Sequence, residues 1–334
     1  MSDHQIKTQV VGSYPVPSWL QAYPTTPNLR DAMLTIIKTQ ELAGVDIISD
    51  GELSRFDVNH PETNGMIEYF IKPLGGITDE IGHEDWKQYR RATGMQFRSK
   101  PPGMVTGSIH EGTLNLPEAW KSIRTLSQSQ MMFTLTSPYM LAKTLHDRHY
   151  GDIQVLTHAI ARVLANQVAE IDAPMIQIDE ANLPGNVHDA TWAHEPVNLV
   201  LEAIRGEKAL HLCFGNYGGQ SIQKGFWSHL MKFFNQLNVD HLVLEFARRG
   251  YEELEAFKEL KPEIKLGIGV IDIKDNGVES PDTVARRIDK AIKILGAERI
   301  KWVHPDCGFW MLPRTVADKK MEHLVLGRNL IEGK

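Results

Sequence analysis

Three short runs place metal-ligand chemistry where apolar segments end. In His211-Leu212-Cys213-Phe214-Gly215-Asn216 an imidazole and a thiol stand two residues apart. On a strand they face the same side. Imidazole and thiolate on one face suit a borderline-soft ion such as zinc. In HLVLEFARRG, beginning at His241, Glu245 closes an apolar stretch, and in IKWVHPDCGFW, beginning at Ile300, Cys307 follows another. Cys213 and Cys307 are the only cysteines of the chain. Each run also has an ordinary reading: a buried His and Cys in a core strand, or an ion pair of Glu245 with Arg248 or Arg249. All three runs fall at the C-terminal ends of candidate strands, and in a parallel barrel loops converge there on a shared site. His211, Cys213, Glu245 and Cys307 are therefore candidate ligands of one zinc ion.

The elements that must position them alternate along the whole chain. Candidate strands occupy residues 8–13, 46–49, 104–108, 133–136, 175–179, 209–213, 241–245, 266–273 and 300–304. Most are β-branched or Leu-rich without strict alternation, as expected of strands covered on both faces of a parallel sheet. Between them, Asn28 caps an expected helix to about residue 43, with Gly44 as its stop. Ile153, Leu156, Ile160, Val163, Leu164 and Val168 form one helical stripe. Ser280-Pro281 opens a helix that Gly296 closes. Such alternation predicts an α/β fold, either a (β/α)8 barrel or a doubly wound sheet. Nine candidate strands for eight positions require one to lie outside the barrel, and residues 104–108 are the choice. The polar stretch 73–102 reads as an inserted lid or hairpin within an otherwise single-domain chain of 334 residues.

Composition narrows the function classes. Hydrophobic residues make up 42% and charged residues 23%, with a formal net charge of −6 and no long run of one sign. This gives no basic surface for nucleic acid or anionic lipid. The start, MSDHQIKTQV, lacks the charged and apolar regions of a signal peptide, and no segment approaches the roughly 20 apolar residues of a spanning helix. A cytoplasmic location is expected, where a disulfide between the two cysteines is not. Neither Leu266-Gly267-Ile268-Gly269 nor Gly215-Asn216-Tyr217-Gly218-Gly219 completes a phosphate-binding loop.

With these residues in view, the chain resembles the catalytic barrel of the cobalamin-independent methionine synthase family. The shared runs are VGSYP, GVDIISDGELSRFD, NGMIEYFIKPLGG, KPPGMVTGSI, LTSP, IQIDEAN, HLCFGN, LVLEFARR, GVIDIKDNGVES and WVHPDCGFWMLPR. The resemblance favours a TIM barrel of the kind shared with uroporphyrinogen decarboxylase, in a short member without the first-half domain of the longer synthases. It implies zinc at His211, Cys213, Glu245 and Cys307. It also implies that Ser13, Glu52 and Asp179 hold the carboxylate and amino group of homocysteine. In isolation Ser13 reads as a turn residue, Glu52 as a partner of Arg55, and Asp179 or Glu180 as a loop cap.

A free thiol titrates near about 8.5 and is mostly protonated at neutral pH. Zinc removes that proton, and two protein thiolates with a carboxylate keep the site electron-rich. Glu245, the hardest ligand, is the one expected to yield to an incoming sulfur. The chain departs from the family on the donor side. A catalytic histidine expected in a D-I-H run is Lys274 here, in Asp272-Ile273-Lys274, and TSPYMLAKTL lacks the pterin-stacking tryptophan. Lysine starts near about 10.4, far from the pKa of a good proton donor at neutral pH. The expected reaction is zinc-dependent methyl transfer to homocysteine or a related thiol, with a methylated corrinoid, free or on a partner protein, as donor. The alternatives are thiol alkylation of the epoxyalkane:coenzyme M transferase type and a non-catalytic zinc- or thiol-binding protein. A metal-free, decarboxylase-like barrel fits the paired cysteines less well.

Overall fold

Strands covered on both faces are mostly apolar, and the barrel strands of this chain combine apolar runs with a few buried polar residues such as Gln177 and Asp179. In the computed structural model, which describes residues 5–55, 64–92, 101–215 and 224–334, ten strands form two sheets. They are β1 (Lys7–Thr8), β2 (Gly75–Thr78), β3 (Met104–His110), β4 (Met132–Thr136), β5 (His146–Asp147), β6 (Met175–Glu180), β7 (Glu207–Leu212), β8 (His241–Leu244), β9 (Lys265–Ile271) and β10 (Ile300–Pro305). Every residue of β4, β6 and β8 is buried. Seven strands run parallel in the order β1-β10-β9-β8-β7-β6-β4. Between β1 and β4, parallel bridges from Gln9 to Ile47 and from Ile48 to Met131 supply an eighth stave. The sheet thereby closes into the expected (β/α)8 barrel.

Helices clad the outside where periodicity places them. Residues of Ile153–Val168 bury Leu156, Ile160, Val163, Leu164 and Val168. Ser280 accepts a hydrogen bond from the Thr283 amide to start Pro281–Leu295, and Gly296 ends it. One cap differs from the sequence reading. The helix Thr26–Ala43 is capped by Thr25, whose hydroxyl accepts from the Asn28 amide, because Pro27 can occupy a first-turn position that needs no donor. Gly44 stops that helix in the left-handed region (φ 81°).

The 104–108 run does lie outside the barrel. β3 pairs antiparallel with β2 and parallel with β5 in a separate three-stranded sheet. The stretch 73–102 supplies β2 and the helix His83–Ala92 of this excursion, while residues 93–100 lie outside the described residues. The first stave is shorter than the 8–13 run. Past Gln9 the chain turns into the barrel mouth, where the Gly12 carbonyl accepts from the Ser49 hydroxyl and the Tyr14 amide donates to Gly51. Among the described residues no helix is long and apolar enough to cross a membrane.

Candidate metal centre

The two strands that carry HxC and the last cysteine, β7 and β10, are separated in the sheet by β8 and β9. Barrel curvature nevertheless brings their C-terminal ends together. One donor atom from each of His211, Cys213 and Cys307 lies within 4.8 Å of the others, and no further residue joins that set among the described residues. His211 Nδ1 donates to the Val243 carbonyl at 2.9 Å, which turns the Nε2 lone pair toward the cluster, and Nε2 has no hydrogen-bond partner. A buried imidazole nitrogen without a partner, facing two thiols, is a set of donors that fits zinc.

The two thiols of the cluster are unequal. The Cys307 thiol beside Cys213 drives Cys213 well below the usual thiol range, and Cys307 rises in turn. Burial disfavours a charged His211 ring, but the Cys213 thiolate and then Asp179 outweigh it and raise His211 to about 9.

Glu245 stands just past β8, outside the three-donor set. Its Oε2 accepts from the Lys274 ammonium at 3.2 Å, with both side chains at most 2% exposed, and its Oε1 is unpartnered. Burial pushes Glu245 up to about 7 despite Lys274. The pairings with Arg248 or Arg249 do not form: Arg248 meets Asp272, and Arg249 meets Glu253 while covering the Phe214 ring. Lys274 itself follows β9, its amide donating to Asp272.

The other expected side chains line the same mouth. Glu52 sits at φ 57°, the sole non-glycine residue with positive φ among those described, so its carboxylate is held by a strained turn. It accepts from the Thr134 hydroxyl and from Arg55 Nη1 at 3.4 Å. Its room comes from Gly12, where a Cβ would lie 2.4 Å from Glu52 Oε1. Arg55 is wrapped by the rings of Tyr69, Phe70 and Phe133 at 5.3–5.5 Å. Asp179 accepts from Gln177 Nε2 at 2.8 Å. Burial, reinforced by the Glu52 carboxylate, pushes Asp179 up to about 8; burial raises Glu52 as well, against Arg55. Ser13 lies against the turn after Cys307: its carbonyl accepts from the Phe309 amide, and a Cβ on Gly308 would fall 2.0 Å from its Oγ. Glu180 is the loop cap, accepting from the Asn182 and Leu183 amides. Asn216 of the HLCFGN run lies outside the described residues.

Sequence reasoning missed Thr134, Gln177 and Asp306. Thr134 reads as one more β-branched strand residue. Gln177 carried a usable signal, an amide inside the apolar run Met-Ile-Gln-Ile, since a polar residue buried in a barrel strand needs a polar interior partner. Gln177 finds the Val11 carbonyl and Asp179.

Known proteins share this frame. The profile of the family described as "Cobalamin-independent synthase, Catalytic domain" matches residues 7–327. A methionine synthase of Sulfurisphaera tokodaii is 28% identical, covering 98% of this chain and 92% of that protein. One from Sulfolobus acidocaldarius is 27% identical with the same coverage. Among solved structures, a B12-independent methionine synthase from a Shewanella species, in complex with selenomethionine, superposes with a TM-score of 0.80 over 98% of each chain at 22% identity.

Proposed function

Because the chain belongs to the cobalamin-independent methionine synthase catalytic-domain family, we propose that it methylates the sulfur of homocysteine or a closely related amino-acid thiol. The observation that carries this reading is the acid pair Glu52 and Asp179. Two buried carboxylates face the mouth with one guanidinium, Arg55, between them and the aromatic cage. An α-ammonium group would supply the positive charge that lets Asp179 give up its proton. A sulfonate thiol would meet repulsion instead. The cations it would need are engaged, Arg55 by Glu52 and Thr134 and Arg314 by Asp318. This favours an amino-acid thiol over a coenzyme M-like one.

His211, Cys213 and Cys307 would hold zinc, with Glu245 as the fourth candidate ligand. When bound there, zinc would supply a substrate thiolate at neutral pH. The chain's own residues do the rest. Glu52 and Asp179 fix the ammonium, Ser13 beside the Cys307 turn contacts the carboxylate end, and the closed apolar barrel beneath excludes water from the sulfur.

The donor side rests on Lys274. Expelling a folate nitrogen requires a proton, whereas a corrinoid leaves without one. If Lys274 gave its proton away, the buried Glu245 carboxylate beside it would lose its counter-charge. A methylated corrinoid therefore suits the site better than methylfolate. Turnover of homocysteine should be faster with methylcobalamin than with methyltetrahydrofolate, and Lys274→His should keep the corrinoid activity. Efficient turnover with methyltetrahydrofolate and no corrinoid would overturn the donor assignment. Zinc-edge spectra unchanged by every thiol tried would favour a non-catalytic zinc protein.

A further inference from the structure

The three strand ends that carry Glu245, Lys274 and Cys307 are joined through one residue that lies between them. Asp306, 2% exposed, precedes Cys307 at the end of β10. Its Oδ1 accepts from the Phe246 and Ala247 amides, each at 2.9 Å, and its Oδ2 accepts from the Arg248 amide at 3.0 Å. These are the three residues that follow Glu245. Its own amide donates at 2.9 Å to the Ile271 carbonyl, where β9 ends just before Lys274. Strand pairing accounts for the bond to Ile271, but not for the three bonds to the Asp306 carboxylate. A buried carboxylate saturated by three main-chain donors is a rigid fixture, because a charge-assisted bond to a buried anion is among the stronger polar contacts. Space for it is made by Gly269 on β9, where a Cβ would fall 2.1 Å from Asp306 Oδ1.

We propose that Asp306 is a positioning residue of the metal centre: by fixing the turn after β8 to the end of β10, it sets where the Glu245 carboxylate stands relative to Cys307. It touches neither substrate nor metal and acts through Glu245. The inference rests on the metal centre proposed above and not on the identity of the thiol.

The test is a double-mutant cycle on the full chain, read as zinc affinity by competition with a chromophoric chelator, with circular dichroism to verify folding. Asp306→Asn keeps the shape but replaces an acceptor oxygen with an amide that opposes a backbone N–H. Zinc affinity should fall about 10–100-fold, the range for losing a group that orients a ligand. In a Glu245→Gln background the same change should cost less than about threefold, because non-additivity marks residues that act together. Asp306→Glu, which keeps the charge but moves the carboxylate by one methylene, should weaken zinc in the same direction and decides the matter if Asp306→Asn does not fold. Unchanged affinity in the folded Asp306→Asn protein overturns the inference. So does an equal loss in the Glu245→Gln background, which would make Asp306 a general stabiliser. A wild-type chain that holds zinc but leaves homocysteine unmethylated would sink the proposed function while this cycle still decides the role of Asp306. A wild-type chain without zinc overturns both.

Discussion

Asp179 carries the clearest consequence at the scale of single residues. Burial and Glu52 lift it to about 8, so at neutral pH the free protein holds a proton there. An ammonium ligand favours the carboxylate and expels that proton. Affinity for homocysteine should therefore rise as pH increases toward 8. Asp179→Asn should lose that portion of the slope, leaving the portion due to the thiol itself. Asp179→Asn and Glu52→Gln should each weaken binding by roughly 1.5–3 kcal/mol at pH 8, the worth of a hydrogen bond to a charged group. Calorimetric titration across pH checks both, and a wild-type slope matched by the Asn variant would refute the role. The partner of Glu52 was legible in the sequence, since Arg55 stands three residues on. The partner of Glu245 was not. Lys274 lies 29 positions away and reaches it only because β8 and β9 are neighbours in the closed sheet.

Among the elements, the turn after the eighth stave is the most exacting. Gly51 adopts φ 73°, and a Cβ there would come within 3.0 Å of Tyr14 Cβ and 3.1 Å of Ile36 Cγ2. Gly51→Ala should destabilise the protein by roughly 1–3 kcal/mol, through a strained backbone and crowding together. Denaturant midpoints at constant slope would measure it. Thiol affinity should fall with stability, since Glu52 follows directly. The helices were legible because a 3.6-residue stripe and a Ser-Pro start are local signals, and the capped helix from Ser280 to Gly296 forms as read. The run 104–108 had the composition of a barrel strand, and only the stave count pointed to its excursion. The 46–49 run shrank to two bridges for a reason no local pattern carries: Ser49 is spent on the turn that holds Glu52, its hydroxyl donating to the Gly12 carbonyl and accepting from the Gly51 amide.

For the molecule as a whole, the two ends of the barrel do different work. At the floor, opposite the mouth, Glu207 Oε1 accepts from Trp302 Nε1 at 2.9 Å and pairs with His241 Nδ1 and Lys301 at 2.8 Å each, tying β7, β8 and β10 together. Burial works against this carboxylate, but the contacts with His241 and Lys301 outweigh it and hold Glu207 down to about 2; burial also disfavours the charged His241 ring, so near neutral pH Lys301 is the cation of the group. The folded state thus keeps Glu207 ionised where an unfolded chain would protonate it. Its contribution to stability is complete above the ordinary glutamate range and vanishes as pH falls toward 2. Glu207→Gln should cost roughly 1.5–3 kcal/mol at pH 7. The difference from wild type should shrink between about pH 4.5 and 2. Chemical denaturation at several pH values tests this, and a pH-independent penalty would mean that the charge is not what stabilises the floor. Zinc content should be unaffected, because the floor lies at the far end of the strands. The pairing of floor and mouth was legible only as the rule that barrel sites sit at strand C-termini.

The missing side chain at Gly12 has a consequence for descent. Glu52 occupies the volume that any side chain at position 12 would take. A lineage that drifts away from glycine there must first give up the acid. The reverse order is closed, since an intact Glu52 makes almost every substitution at Gly12 a clash. Relatives that have exchanged this glycine are therefore where a changed residue at position 52 should be sought.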